Sequence, residues 1–207
     1  SVNVYKYQID GRKMTKGISK NPAEVVTARS TTAAMVVNLA AIRQNFSDLQ
    51  KLSDTAECAA VVKGDGYGHG MLESAKVLRE AGARTFFVAT VEDGASLRRV
   101  MQHETIIVLG GYVPSMRPEF EHHNLVPVLN SLEQISLWSE VSKSGGARKR
   151  GILHIDTGMN RLGLRDGQIS SLTQGGAILS SIDWIAVMTD FSGADDLDFE
   201  RCEDQRR

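Results

Sequence analysis

Short apolar runs alternate with longer amphipathic stretches along most of this chain, and the alternation restricts the folds it can adopt. The apolar runs are strand-like: Cys58–Val62, Thr85–Ala89, Thr105–Leu109, Leu125–Val128, Gly151–Ile155 and Ile182–Val187. The stretches between them are helix-like: Met71–Ala81, Glu92–Met101, Pro114–His122, Leu132–Ser142 and Asp166–Gln174. Gly82 is placed to end the first of these helices. Repeated β-α units predict an α/β fold built on a parallel sheet.

The segment before this alternation is different in character. Ser1–Ser30 is polar and shows no sustained period, so we interpret residues 1–31 as an N-terminal extension with one short strand near Val2–Ile9. From Thr32 a strand-like run, AAMVVN, leads into a stretch whose apolar residues recur at helical spacing: Leu39, Ile42, Phe46 and Leu49. Residues 32–207 are therefore predicted to form the main domain.

Composition narrows the range of partners. The formal charge of −1 arises from 24 basic and 25 acidic side chains, so no strong field would attract nucleic acid or an anionic membrane, and a small-molecule ligand is predicted. Cys58 and Cys202 are widely separated and have no histidines at ligand spacing, which predicts reduced thiols, a cytoplasmic location and no metal site. No apolar run approaches the length of a membrane span.

The stretch Ala60–Gly70, AVVKGDGYGHG, carries the clearest chemical signal. An apolar run typical of a strand buried on both faces ends at Lys63, where a parallel sheet presents its active site. Glycines follow and allow a sharp turn, and Tyr67 offers a hydroxyl four residues after the lysine. A lysine amine presented in this way can form a Schiff base with an aldehyde cofactor such as pyridoxal phosphate. The alternative is a solvated lysine in a glycine turn.

AVVKGDGYGHG resembles the cofactor-lysine motif of the alanine racemase family, pyridoxal-phosphate enzymes of fold-type III. A second motif in the expected order, HIDTGMNRLGL at His154–Leu164, resembles that family's second signature, and FFVATVEDGASLR and IIVLGG between them are also similar. The resemblance extends from about Thr32 to the end of the sequence and corresponds to the N-terminal part of the family.

The resemblance implies a (β/α)8 TIM-type barrel followed by a mostly β C-terminal domain. The chain contains about six βα units, fewer than the eight that a barrel of about 250 residues uses, so we expect a truncated barrel without the C-terminal domain. The last strand would then expose backbone groups and apolar side chains. Aggregation, swapping or an unusual assembly is predicted from that exposed strand.

Two site residues follow from the first motif. The resemblance gives Lys63 two roles, the Schiff base with pyridoxal phosphate and the removal of the α-proton of the D-enantiomer. Tyr67 aligns with the tyrosine whose hydroxyl binds the cofactor phosphate, and its alternative role is that of a packed aromatic in a turn. For His69 a packing or turn role is favoured over catalysis.

The second motif contributes Arg161, which follows the strand ending near Ile155. A guanidinium there can donate two hydrogen bonds to a substrate carboxylate or to the phenolic oxygen of the cofactor. The alternative is a surface arginine near Asp166. Asp156, Thr157 and Gly158 are interpreted as turn formers that position Arg161, and Met159 as packing.

Two positions depart from the family pattern. His154 replaces a lysine that is often carbamylated and bonded to the arginine, so Arg161 would lose that partner. Asp190, in TDFSGAD, replaces a histidine that belongs to a network with the tyrosine of the C-terminal domain. Asp190 could accept a hydrogen bond from that tyrosine or pair with an arginine.

On resemblance, the function is interconversion of L- and D-alanine, a peptidoglycan precursor, by a pyridoxal-phosphate-dependent isomerase that is a homodimer at full length. Three alternatives stay open: a broad-spectrum amino-acid racemase, a non-catalytic pyridoxal-phosphate carrier with a single barrel, and an inert folding unit. The second base, most of the phosphate site and the arginine facing the pyridine nitrogen have no counterpart in this sequence.

Overall fold

Nine strands form two sheets in the part of the chain that the computed structural model describes, namely residues 3–10, 13–19, 35–53, 55–174, 176, 178–192 and 199–206. The first sheet is antiparallel, with β1 (Asn3–Asp10) between β2 (Lys13–Ser19) and β3 (Met35–Val37). The second contains six strands in chain order: β4 (Ala60–Val61), β5 (Thr85–Val88), β6 (Thr105–Val108), β7 (Val126–Leu129), β8 (Arg150–His154) and β9 (Asp183–Met188). It is a parallel sheet, so the predicted α/β fold is confirmed.

Helices alternate with these strands. In the described residues they are α1 (Leu39–Leu52), α2 (Met71–Glu80), α3 (Val91–Arg98), α4 (Arg117–His122), α5 (Leu132–Ser144), α6 (Asp166–Gln174) and α7 (Phe199–Arg206). The helix predicted at Pro114–His122 is a 3₁₀ turn, Pro114–Met116, followed by α4. Pro118 lacks an N–H and fits only a first helical turn, which explains the break. None of these helices combines the length and the apolar character needed to cross a membrane.

Polar side chains fix where several helices begin. The side chains of Asn38, Thr90 and Ser131 accept hydrogen bonds from backbone N–H groups in the first turns of α1, α3 and α5. Such N-caps satisfy donors that have no partner inside the helix. Helix α2 ends at Glu80, and Gly82 follows with φ of +113°, which confirms the predicted helix stop.

Two compact units divide the chain, and the division passes through β5. The first unit comprises Ser1–Phe87 and Val100–Glu104, and the second comprises Val88–Arg99 and Thr105–Arg207. In the first unit, Ala60 of β4, Phe86 of β5 and Ala75 of α2 are buried, as is Val62, which follows β4.

The core of the second unit contains a cluster of three aromatic rings. Tyr112, Phe120 and Trp138 are fully buried and meet edge to face, with ring centroids 4.7 to 5.7 Å apart. The indole N–H of Trp138 donates to the carbonyl of Arg150 at 3.1 Å. Strand β7 is buried along its whole length, as expected for a central strand of a parallel sheet.

Strand β9 is the last strand of the six and pairs with β8 on one side. Val187 is 65% exposed, and Ile185 is also exposed. The predicted exposure of apolar side chains on the final strand is therefore confirmed. The assembly or aggregation expected from it stays a prediction.

The N-terminal segment contains more strand than the sequence predicted. β1 confirms the strand expected near Val2–Ile9, whereas β2 was missed. β1 also pairs with β3, with Asn3 opposite Val37. The proposed boundary between residues 31 and 32 lies outside the described residues, so the division into 1–31 and 32–207 stays a prediction.

Candidate active site

Strand β4 presents Lys63 at its carboxyl end. Val62 is 1% exposed, and its N–H donates to the carbonyl of Phe87 at 2.9 Å, so sheet pairing continues up to the residue before the lysine. Lys63 itself is half-buried, and its amine has no hydrogen-bond or ion-pair partner among the described residues. The predicted placement of Lys63 at the strand end is confirmed, while its role stays a prediction. The expectation that the strand is buried on both faces is wrong, because Val61 is 43% exposed.

The chain after Lys63 forms a left-handed helical turn. Gly64, Asp65, Gly66 and Tyr67 have φ values of +60°, +54°, +64° and +54°. The N–H of Gly66 donates to the carbonyl of Val62, and that of Gly68 to the carbonyl of Gly64, both at 2.9 Å. Left-handed backbone costs roughly 1–2 kcal/mol for each residue other than glycine, so Asp65 and Tyr67 must be held in place by their surroundings.

Contacts with the start of α2 hold the turn. The carboxylate of Asp65 accepts from the N–H of Met71 at 2.8 Å, and the Asp65 carbonyl accepts from the N–H of Gly70 at 2.8 Å. Gly66 is buried against α2, where a Cβ on it would lie 3.2 Å from the Ser74 hydroxyl oxygen and 3.3 Å from the Met71 nitrogen. The close approach and the positive φ together require glycine at position 66.

Tyr67 and His69 differ in their surroundings. The Tyr67 side chain is 61% exposed and has no partner among the described residues, so the alternative of a packed turn aromatic is not supported. The Nδ1 of His69 lies 2.8 Å from the carbonyl oxygen of Gly66 and bonds back to the turn. The turn role predicted for His69 is thereby confirmed.

The Ser74 hydroxyl, beside Gly66, is buried without a hydrogen-bond partner in the described part of the chain. Ser74→Ala is expected to raise the free energy of unfolding by about 1 kcal/mol, because a buried unpaired hydroxyl costs more than the methyl group that replaces it. Urea denaturation measures this change. Ser47→Ala in α1, where the hydroxyl makes an exposed hydrogen bond to the Arg43 carbonyl, serves as control and should change stability by less than about 0.5 kcal/mol. A loss of stability in Ser74→Ala would contradict the expectation.

In the second unit, Asp156 organises the loop that carries Arg161. Its carboxylate accepts from the N–H of Asn160 at 2.9 Å and of Gly158 at 3.1 Å. The Asn160 bond is the main reason that the pKa of Asp156 lies below its usual value, and the Gly158 bond adds to it against the opposing effect of burial. The predicted turn-forming role of Asp156 is confirmed.

Arg161 pairs with Asp190, which follows β9. A terminal nitrogen of the guanidinium donates to the Asp190 carboxylate at 2.8 Å, and the two side chains are 56% and 37% exposed. An ion pair this exposed contributes little to stability. The pair places the guanidinium next to the Asp190 carboxylate. Of the two partners considered for Asp190, the structure shows the arginine.

His154 is buried at the end of β8, and its Nδ1 lies 2.7 Å from the side-chain oxygen of Asn130. The Asn130 amide nitrogen already donates to the carbonyls of Leu109 and Val128, so its oxygen must be the acceptor. His154 is therefore the Nδ1–H tautomer. Burial is the main cause that lowers its pKa; Arg161 lowers it further, while Asp190 and Asp156 oppose the shift.

This lowered pKa predicts a pH-dependent stability. Unfolded His154 binds a proton near pH 6.5 and folded His154 only at lower pH, so stability is present above the unfolded pKa and is lost as the pH falls through this interval. Urea unfolding at about pH 7.5 and about pH 5.5 measures the loss. The loss should be smaller in His154→Gln and unchanged in the control His103→Gln, an exposed histidine. Equal pH dependence in all three proteins would contradict the assignment.

Sequence reasoning missed two residues of this site. The first is Asn130, whose side chain accepts a hydrogen bond from His154 and donates hydrogen bonds to the carbonyls of Leu109 and Val128. The second is Gln134, whose side-chain oxygen accepts a hydrogen bond from the backbone N–H of Asn130 at 2.9 Å. A polar residue directly after the fully apolar run VPVL was an available signal for Asn130. The structure thus brings Arg161, Asp190, His154 and Asn130 together in the second unit, and Lys63 and Tyr67 together in the first.

Comparison with known proteins points to the same family as the two motifs at Ala60–Gly70 and His154–Leu164. A family model described as the N-terminal domain of alanine racemase matches residues 37–207. The alanine racemase of Methylobacterium nodulans is 37% identical over 171 residues, which are 82% of this chain and 46% of that protein. The alanine racemase of Rhizobium meliloti is 38% identical over 167 residues, 81% of this chain and 44% of that protein.

Among solved structures, the alanine racemase from Bartonella henselae with covalently bound pyridoxal phosphate is similar, with a TM-score of 0.75 and 26% identity. The match covers 83% of this chain and 51% of that one. The chain therefore spans about half the length of the relatives that it matches.

Proposed function

The chain belongs to the alanine racemase family, and we propose that it takes part in the interconversion of L- and D-alanine with pyridoxal phosphate as cofactor. One observation carries the proposal: Lys63 follows the sheet-paired, buried Val62 at the carboxyl end of β4, its amine has no partner among the described residues, and a left-handed turn comes directly after it. The covalently bound cofactor of the Bartonella henselae enzyme supports the choice of cofactor.

The residues of the first unit fit this cofactor. Lys63 offers the amine, and the exposed Tyr67 hydroxyl offers a donor to the phosphate. A Cβ on Gly64 or Gly68 would have no described atom within 4 Å, so the surface of the turn is open to a ligand. When bound, the cofactor supplies an aldehyde that captures amines and a ring that accepts the electron pair left by a departing α-proton.

Lys63 is proposed to hold the cofactor and then to move a proton at its Nζ. As the α-proton of D-alanine leaves, the free amine takes it up, which requires an uncharged Nζ at the moment of transfer. Hydrogen bonds of Val62 to Phe87 and of Gly66 to Val62 hold the backbone on both sides of Lys63, whereas no described side chain holds its amine. This is positioning by backbone rather than by a side-chain partner.

Arg161 is proposed to donate hydrogen bonds to the substrate carboxylate or to the phenolic oxygen of the cofactor. Its guanidinium cannot lose its charge, and one terminal nitrogen is already bonded to Asp190. The remaining donors are available for a second acceptor. In this chain, Asp190 supplies the anionic partner of Arg161, and neutral His154 does not.

Several finer features belong to the same proposal. We propose alanine as the substrate, D-alanine for peptidoglycan as the product, a cytoplasmic location and a homodimer for the enzyme. The names of the relatives support alanine, and the two free cysteines are compatible with a reducing compartment. A broad-spectrum amino-acid racemase is the runner-up for substrate range.

Solvent deuterium exchange tests the reaction. The chain is supplied with pyridoxal phosphate in D₂O, and loss of the α-proton signal of D-alanine and of L-alanine is followed by NMR. If Lys63 is the base for the D-enantiomer, D-alanine should exchange faster than L-alanine, and Lys63→Ala should slow exchange at least about a hundredfold. Glycine, serine and lysine as substrates then define the specificity.

The same experiment separates the alternatives. Retention of cofactor without exchange of any amino acid would favour a non-catalytic carrier. An intact circular dichroism spectrum without cofactor retention would favour an inert folding unit. Either result would overturn the proposed racemase chemistry for this chain.

A further inference from the structure

Gln205 of α7 uses its whole side-chain amide in contacts with two loops at the carboxyl end of the sheet. Its Nε2 donates to the carbonyl of Asp190 at 3.0 Å and to the hydroxyl of Thr157 at 3.2 Å. Its Oε1 accepts from the N–H and from the hydroxyl of Ser192, both at 2.8 Å. The side chain is partly buried and makes four bonds, which is its full capacity.

The two loops joined by Gln205 are those that carry the Arg161 ion pair. Thr157 follows β8 and precedes Arg161 by four residues, while Asp190 and Ser192 follow β9. The hydroxyls of Thr157 and Thr189 also meet at 2.7 Å, which ties the same two loops directly. Gln205 therefore closes a ring of hydrogen bonds around the base of the Arg161–Asp190 pair.

We propose that Gln205 is a positioning residue that orients the Arg161 guanidinium through Asp190. The amide fixes the Asp190 backbone at its carbonyl, and the Asp190 carboxylate fixes one terminal nitrogen of Arg161 at 2.8 Å. The inference rests on the proposed function in one respect, namely that Arg161 contacts substrate or cofactor.

The Arg161 and Asp190 side chains are exposed, so their ion pair depends on the backbone that carries each of them. Arg161 and Asp190 are 56% and 37% exposed, and an ion pair in this setting gains little over solvated side chains that rotate freely. The orientation of the guanidinium is then determined by how firmly both backbones are held. Asp156 holds the backbone before Arg161, and Gln205 holds the backbone at Asp190.

A purely structural role for Gln205 would be to dock α7 on the sheet. The two roles use different halves of the amide. The oxygen binds Ser192, whereas the nitrogen binds Asp190 and Thr157. A variant that keeps the acceptor and removes the donors therefore distinguishes them, and Gln205→Glu does this.

Side-chain ¹⁵N NMR of the arginines tests the inference without cofactor. Rotation about the Nε–Cζ bond of Arg161 should be about threefold slower than for Arg148, an exposed arginine that has no partner among the described residues. Gln205→Ala, Gln205→Glu and Asp190→Asn should each remove the difference. Gln174→Ala on α6 and Asp183→Asn at the other end of β9 are the matched controls and should preserve it.

A functional readout separates this inference from the proposed function. In the exchange assay, Gln205→Glu should raise the D-alanine concentration for half-maximal exchange by about tenfold while the Lys63-linked cofactor absorbance is retained. If the wild-type chain binds no cofactor, the proposed function fails, and the NMR result alone still decides the positioning role.

Unchanged Arg161 rotation in Gln205→Glu would overturn the inference. If Gln205→Ala loses helical circular dichroism, Thr157→Val replaces it, because this change removes one bond of the amide without altering α7. Faster Arg161 rotation in Thr157→Val supports the inference, and wild-type rotation in that variant contradicts it.

Discussion

Lys63→Ala is expected to abolish covalent capture of pyridoxal phosphate. The cofactor aldehyde forms a Schiff base with an amine. Tyr67 offers only a phenol and Arg161 only a charged guanidinium, so neither can replace Lys63. The backbone should be unaffected, because the Lys63 side chain contributes no hydrogen bond or ion pair within the described residues. The measurement is visible absorbance of the protein after free cofactor has been removed, and the loss should be at least about tenfold.

The control for this result is Lys76→Ala. Lys76 is an exposed lysine of α2, in the same unit as Lys63. Non-specific reaction of surface lysines with the aldehyde would affect the two variants alike. A cofactor band that persists in Lys63→Ala, or that falls equally in Lys63→Ala and Lys76→Ala, would contradict the assignment of Lys63.

Asn130→Ala is expected to lower the free energy of unfolding by about 3 kcal/mol. The side chain donates to the carbonyls of Leu109 and Val128 and accepts from His154, all within a buried site. Alanine would remove all three bonds at a buried site, where lost hydrogen bonds are costly. Urea denaturation at neutral pH measures the change.

Gln44→Ala provides the comparison for Asn130→Ala. Gln44 is exposed, and its amide bonds to the carboxylate of Asp48 on α1. Removing that amide should cost no more than about 0.5 kcal/mol. Similar losses in the two variants would show that Asn130 is not the buried link between strand ends that the structure shows.

The local pattern of apolar and polar residues was sufficient to predict most strands and helices of this fold. The apolar runs predicted all six parallel strands, and the helix at Asp166–Gln174 was predicted with its observed limits. The position of Lys63 at a strand end followed from the apolar run AVV, which precedes the lysine, and from the glycines that come after it. These features depend on neighbours within a few residues, and sequence periodicity reports such neighbours directly.

Contacts between distant residues were the part that pattern could not supply. Asn130 bonds to His154 across 24 residues, Arg161 to Asp190 across 29, and Gln205 to Thr157 across 48. Each depends on which strand ends become neighbours after folding. No periodicity encodes these pairs, although the resemblance identified His154 and Asp190 as unusual positions.

The left-handed turn and the N-terminal hairpin were missed for local reasons. The glycines after Lys63 indicated a sharp turn, but Asp65 and Tyr67 are not residues that favour positive φ strongly enough to predict four left-handed residues in a row. For β2, the signal was Asp10 followed by Gly11 between two strand-forming segments, a pair typical of hairpins.

The central claim is that the ε-amine of Lys63 is the point of attachment for pyridoxal phosphate. Borohydride reduction of the protein incubated with the cofactor, followed by protease digestion and mass spectrometry, tests it most directly. The account predicts a single dominant modified peptide, with the reduced adduct on Lys63. An adduct that is located on another lysine, or that is absent when cofactor is retained, would contradict it.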